Sequence, residues 1–188
     1  LPRDRHHGWK FIKIGPDGKL YVPVGAPCNV CESQGDRYAS ILRLDLDGGN
    51  LELFATGVRN TVGFDWHPET SELWFTDNGR DLLGDDQPPD ELNRLGPGAE
   101  FGWPFCVGAQ RPDPQLGATL DICRATQPPA LTFPPHFGVR GAAFYRGAMF
   151  PAEYDGGLVG ASHGSEVQLA LQAYKVLFVP FRAGAPTG

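Results

Sequence analysis

A repeated strand–turn–strand unit governs which architectures are open to this sequence. Phe11-Ile12-Lys13-Ile14, the turn Gly15-Pro16-Asp17-Gly18 and Lys19-Leu20-Tyr21-Val22 read as a hairpin with Asp-Gly at its tip. Val62-Gly63-Phe64-Asp65-Trp66, His67-Pro68-Glu69-Thr70 and Leu73-Trp74-Phe75-Thr76 repeat the plan, with Pro16 and Pro68 standing 52 positions apart. Between them, residues 40–45 and 51–54 form a third hairpin that turns at Asp47-Gly48-Gly49. Further strand candidates lie at 141–145, 157–161 and 174–180.

Several short strands in a unit of about 40 to 50 residues are the mark of propeller blades, with a β-sandwich or meander as the alternative. Glycine (25) and proline (18) make up nearly a quarter of the 188 residues, far too much for a helical bundle and well suited to strands joined by tight turns. The fold class expected is all-β, a β-propeller. At that period the chain covers about four blades, and a propeller must close as a ring to hide its strand edges. Blades are therefore expected to be missing at both the N- and C-terminal sides. The expected organisation is a single partial propeller domain over 1–188, with a loop-rich insertion at about 80–135, where ordered loops on a rigid scaffold would carry a site.

The net charge of −6 disfavours a nucleic-acid partner, which needs a basic stripe. No apolar run approaches the roughly 20 residues that span a bilayer. Cys28 and Cys31 form a C-x2-C; Cys106 and Cys123 follow. Zinc on a C-x2-C normally needs a second close pair of ligands, which is not seen here, so two disulfides are expected, with zinc and free thiols as the alternatives. Connectivity stays open. Two disulfides would place the chain in an oxidising compartment, periplasmic or secreted. Signatures of serine hydrolases, zinc proteases, P-loops and dinucleotide-binding folds are absent from the sequence.

Several segments, in order, resemble the pyrroloquinoline-quinone (PQQ) dependent glucose/sorbosone dehydrogenase family. They are His7-Gly8-Trp9 leading into Ile14-Gly15-Pro16-Asp17-Gly18-Lys19-Leu20-Tyr21-Val22, then Gly57-Val58-Arg59-Asn60-Thr61-Val62-Gly63-Phe64, then Asp90-Glu91-Leu92-Asn93 with Glu100-Phe101-Gly102-Trp103-Pro104. Gly141-Ala142-Ala143-Phe144-Tyr145 and Met149-Phe150-Pro151 complete the set. The resemblance covers about residues 5 to 181 and implies part of a six-bladed propeller. It also implies export, PQQ and Ca²⁺ on the channel axis, and a sugar-like substrate oxidised by hydride transfer. The electron acceptor, a quinone or a cytochrome, is not identifiable from the sequence.

By that resemblance His7 is the catalytic base, a role that suits an imidazole titrating near the working pH. Arg59 and Asn60 would contact PQQ. A permanently charged planar guanidinium matches a planar tricarboxylate and would steady the charge developing on the quinone. Asn78 lies beside the cofactor in this reading, and the carbonyls of Asn78, Gly79 and Arg80 belong to the segment that would face the PQQ calcium. Asp90, Glu91 and the Phe101 carbonyl match a second, structural Ca²⁺ position. The plainer readings are a surface histidine beside His6, a solvated Arg-Asn turn and a solvated acidic loop. After His163-Gly164-Ser165 the chain has Glu166 where family members carry a basic residue. Two other functions compete: a Ca²⁺-dependent propeller hydrolase of the lactonase kind, and a non-catalytic propeller that binds carbohydrate or protein.

Overall fold

The computed structural model describes residues 1–32, 35, 37–96, 99–165 and 174–187. Its first sheet is a meander of β1 (Lys13–Ile14), β2 (Leu20–Val24), β3 (Ser40–Leu44) and β4 (Glu52–Thr56). The β1–β2 turn is made locally. Asp17 accepts hydrogen bonds from the Lys19 N–H and the Tyr21 hydroxyl, and Gly18 takes the left-handed conformation at φ +74°.

The second sheet contains β5 (Thr61–Trp66), β6 (Leu73–Asp77) and β7 (Pro89–Arg94). The chain then leaves it for the short ribbon of β8 (Cys106–Val107) and β9 (Arg111–Pro112) and the helix α1 (Leu120–Arg124). It returns as β10 (Leu131–Pro135), which pairs antiparallel with β7 as the outer strand. The third sheet is β11 (Val139–Phe144), β12 (Leu158–Ser162) and β13 (Lys175–Val179), and a two-stranded ribbon of β14 (Phe181–Arg182) and β15 (Ala185–Pro186) follows. The disulfides pair Cys28 with Cys31 and Cys106 with Cys123.

The architecture is part of a β-propeller. Among the described residues the three sheets do not close into a ring. Three sheets of three or four strands and two two-stranded ribbons are described, and the stretch between β7 and β10 holds one of those ribbons, the helix and loops. The region at 80–135 is also more structured than a run of Pro, Asp and Gln suggests. Asp90, Glu91 and Asn93 sit on strand β7, with Asp90 and Asn93 buried, rather than on a solvated acidic loop.

Strand alternation explains how the blades stack. On β6, Leu73 and Phe75 face a core shared with Tyr21, Ile41 and Phe64, while Trp74 faces the opposite core with Leu92, Phe144 and Leu158. One strand thus packs against both neighbouring sheets. The first strands of the second and third sheets, β5 and β11, approach closely at Gly63, where a Cβ would stand 2.5 Å from the Ala142 nitrogen. At the other end of β5 the buried Asp65 carboxylate joins all three sheets. It meets Lys13 Nζ from β1 at 2.5 Å and Arg146 Nη1 beyond β11 at 2.9 Å, and it accepts the Phe144 N–H at 2.8 Å. Burial alone would raise its pKa; the hydrogen bonds from Arg146, Lys13 and Phe144 outweigh that and leave it lowered.

Candidate active site

The residues just before β5 and β11, and just after β6 and β12, surround one cavity of about 180 Å³. Its wall includes His7, Arg59, Asn60, Asn78 and Gly79, which the sequence reading singles out. It also includes His136, Arg140 and His163, to which that reading assigns no role.

His7 is held in an uncommon backbone state, with φ +46°. Its place depends on a glycine: a Cβ on Gly25 would stand 2.5 Å from His7 Cβ and 3.3 Å from Asn60 Oδ1. His7 Nδ1 lies 2.9 Å from the Ala26 carbonyl and donates its proton there. That bond selects the tautomer whose Nε2 is an acceptor. Burial is the largest cause pushing the imidazole pKa down, helped by the charges of Arg59, His6 and Arg140 and opposed by the Ala26 bond; it falls to about 3. His7 is therefore neutral at ordinary pH, with Nε2 free as an acceptor, but it is a weaker base than the free imidazole expected from the sequence. The sign of the linkage follows. The unfolded chain, with His7 near 6.5, binds a proton that the fold excludes, so stability falls as pH drops from 6.5 towards 3. His7→Gln is expected to flatten this slope in melting curves taken from pH 7 to 4; an unchanged slope would count against the buried neutral imidazole.

Arg59 is buried, and burial is the main cause lowering its pKa. Nε donates to the Asn29 carbonyl at 3.0 Å and Nη2 to Asn29 Oδ1 at 2.8 Å, while Nη1 reaches the carbonyls of Asn78 at 3.0 Å and Gly79 at 2.9 Å. Asn29 sits inside the Cys28–Cys31 disulfide loop and also fixes Asp81, through its main-chain N–H and carbonyl. Asn29 was missed by the sequence reading; its only sequence signal is its place between two cysteines.

The peptide N–H groups of Arg59 and Asn60 both donate to the buried Asp77 carboxylate, at 2.8 and 2.5 Å. Burial raises the Asp77 pKa to about 7 against these bonds. Asn78 is bound to the Asn60 carbonyl through Nδ2 at 3.0 Å, and its buried Oδ1 has no hydrogen-bond donor. Arg80 turns away from the cavity and forms a buried ion pair with Asp113 at 2.7 Å.

The second set of predicted metal residues is divided. Asp90 lines the main cavity, with its oxygens accepting the N–H groups of Gly79 at 2.8 Å and Gly138 at 2.6 Å. Glu91 and Phe101 instead line a separate small hollow of about 20 Å³, with Asp77, Asn78 and Trp103. Burial, with Asp77 nearby, pushes the Glu91 pKa up to about 8. Glu166 lies outside the described residues.

The fold and the cavity together define a partial propeller with a polar pocket at one end of strands β5 and β11. Residues 2–173 match the glucose/sorbosone dehydrogenase family, and the chain belongs to that family. A Borreliella burgdorferi protein recorded as uncharacterized is 37% identical over 182 residues, covering 94% of this chain and 47% of that protein. Solved structures share the fold. A Trichoderma reesei carbohydrate-active enzyme of family AA12, in a calcium structure, superposes with TM-score 0.83 at 19% identity over 96% of this chain and 55% of its own. The holo form of the pyranose dehydrogenase PQQ domain from Coprinopsis cinerea gives 0.81 at 21% identity, over 99% and 57%. The PQQ-bound aldose sugar dehydrogenase of Streptomyces coelicolor gives 0.64 at 19% identity, over 99% and 48%. The chain thus spans about half the length of the relatives it matches.

Proposed function

We propose that the full-length protein is a sugar dehydrogenase that oxidises an aldose or related alcohol with PQQ seated in the His7 cavity. The observation that carries this reading is the state of His7: neutral, with Nδ1–H committed to Ala26 and Nε2 left as acceptor on a side chain that lines the cavity. Such a nitrogen takes the proton of a substrate hydroxyl as hydride leaves the adjacent carbon, so one C–H and one O–H bond break and a carbonyl forms. When bound, the quinone supplies the two-electron acceptor for that hydride. Asn60 offers donor and acceptor at the same wall. Two described disulfides suit an oxidising compartment, periplasmic or secreted. Among the described residues no helix is long and apolar enough to cross a membrane.

Calcium divides by position. The Asn78 and Gly79 carbonyls do not fit a calcium ion in this arrangement, because the Arg59 guanidinium already takes both oxygens. The Glu91 hollow fits better: it offers a carboxyl group that a bound cation would hold ionised, and Asn78 at its wall has a buried side-chain oxygen without a donor. In this reading Glu91 and the Phe101 carbonyl would hold a structural calcium, with Asp90 left to the loop it already ties down. Added Ca²⁺ is then expected to raise the melting temperature of the chelated full-length protein, by mass action on the folded state, and Glu91→Gln to remove most of that rise. An equal rise in the variant would displace the ion from this position.

The functional test is to incubate the full-length protein with PQQ and Ca²⁺ and screen aldoses with an artificial electron acceptor. Dye reduction that needs both PQQ and sugar supports the proposal. Calcium-dependent lactone hydrolysis without quinone uptake would replace it with the hydrolase reading, and carbohydrate binding without any turnover would replace it with the non-catalytic one.

A further inference from the structure

The two arginines of the cavity are in opposite states. Arg59 spends four hydrogen bonds on Asn29, Asn78 and Gly79, so its guanidinium serves the wall. Arg140, the second residue of β11, lines the same cavity. It also lines the adjoining hollows beside His7 and Trp9. Among the described residues its guanidinium has no carboxylate or hydrogen-bond partner, whereas Arg43, Arg80, Arg94 and Arg146 each meet an acid. The described acids that line the cavity, Asp81 and Asp90, are already engaged. Asp90 is bound by two peptide N–H groups, and Asp81 faces His136 at 3.5 Å.

An unpaired guanidinium on a strand held this firmly is a ready fork for a carboxylate. β11 is fixed along its length by the close approach to Gly63 and by the Phe144 bond to Asp65, so the guanidinium is offered from a rigid support. Arg59, His6 and Arg140 all act on His7 as positive neighbours, which makes this end of the cavity favourable to an anion.

We propose that Arg140 receives a carboxylate of the ligand seated beside His7, and, resting on the reading above, that this carboxylate belongs to the quinone cofactor. The shared chemistry also admits an acidic sugar as the source, so the test has two arms. In the full-length protein, PQQ and glucuronate are each titrated against wild type, Arg140→Ala and Arg140→Lys. Arg140→Ala is expected to weaken PQQ binding about 10- to 100-fold, the loss of one or two charge-assisted hydrogen bonds, with glucuronate unaffected and the melting temperature of the unliganded protein unchanged. Arg140→Lys should recover part of the affinity.

A variant that loses glucuronate but keeps PQQ would move the carboxylate to the substrate and overturn the cofactor assignment. Wild type that binds PQQ with an affinity Arg140→Ala does not alter would overturn the proposal while leaving the proposed function standing. Wild type that binds neither ligand would overturn both. A ligand-free readout comes from the His7 imidazole by NMR: removing the neighbouring positive charge should raise its pKa, and an unmoved titration would show that Arg140 does not face it.

Discussion

Replacing His7 by Gln in the full-length protein supplied with PQQ is expected to lower kcat about 100- to 10,000-fold, the usual contribution of a positioned general base. Glutamine keeps much of the volume and can still donate to Ala26, but offers no nitrogen able to accept a proton. The loss should therefore fall on kcat more than on KM, with PQQ affinity nearly unchanged. Because His7 is held neutral down to about pH 3, wild-type kcat/KM should show no acid limb near 6.5. His7→Gln with kcat within threefold of wild type would remove the residue from the chemistry. Stopped-flow reduction of the bound quinone measures the step directly.

Asp113→Ala is expected to destabilise the fold by about 3–5 kcal/mol, because it strands the Arg80 guanidinium inside the protein without its counter-charge. Both side chains are almost wholly buried, at 3% and 0% exposure. Asp113 also accepts the N–H groups of Gln115 and Leu116, and Arg80 Nη2 donates to Gln115 Oε1. Removing the carboxylate would thus loosen the insertion between β9 and α1 as well as the segment after β6 that carries Asn78 and Gly79. Asp113→Asn keeps an acceptor for the peptide N–H groups and should cost less. Chemical denaturation compares the two variants, and an Asp113→Ala protein within 1 kcal/mol of wild type would refute the buried-pair argument.

The hairpins were legible because their causes are local. Asp17-Gly18 makes its own turn, and alternation along Leu73-Trp74-Phe75 prescribes two buried faces whatever lies beyond them. His7, Arg59, Asn60, Asn78 and Gly79 could be named through the family resemblance, and they line one cavity. What each side chain does there was not legible. The Arg-Asn pair reads as a cofactor contact, yet Arg59 is held by Asn29, 30 positions earlier, and by carbonyls about 20 positions later. Arg140 looks like any strand arginine until it is seen to have no acid partner among the described residues. Asp90 and Glu91 are adjacent in sequence and serve different hollows, since neighbouring residues of a strand point to opposite faces.

Sequence alone therefore determined the strand units and the blade-like period, which are properties of short windows, while the candidate site residues were named through the family resemblance. Tertiary structure decided which of two arginines is without an acid partner among the described residues, which nitrogen of His7 is the acceptor and which carbonyls Arg59 already occupies. Those outcomes depend on hydrogen bonds between segments far apart in the chain, and a donor spent on one partner is withdrawn from every other.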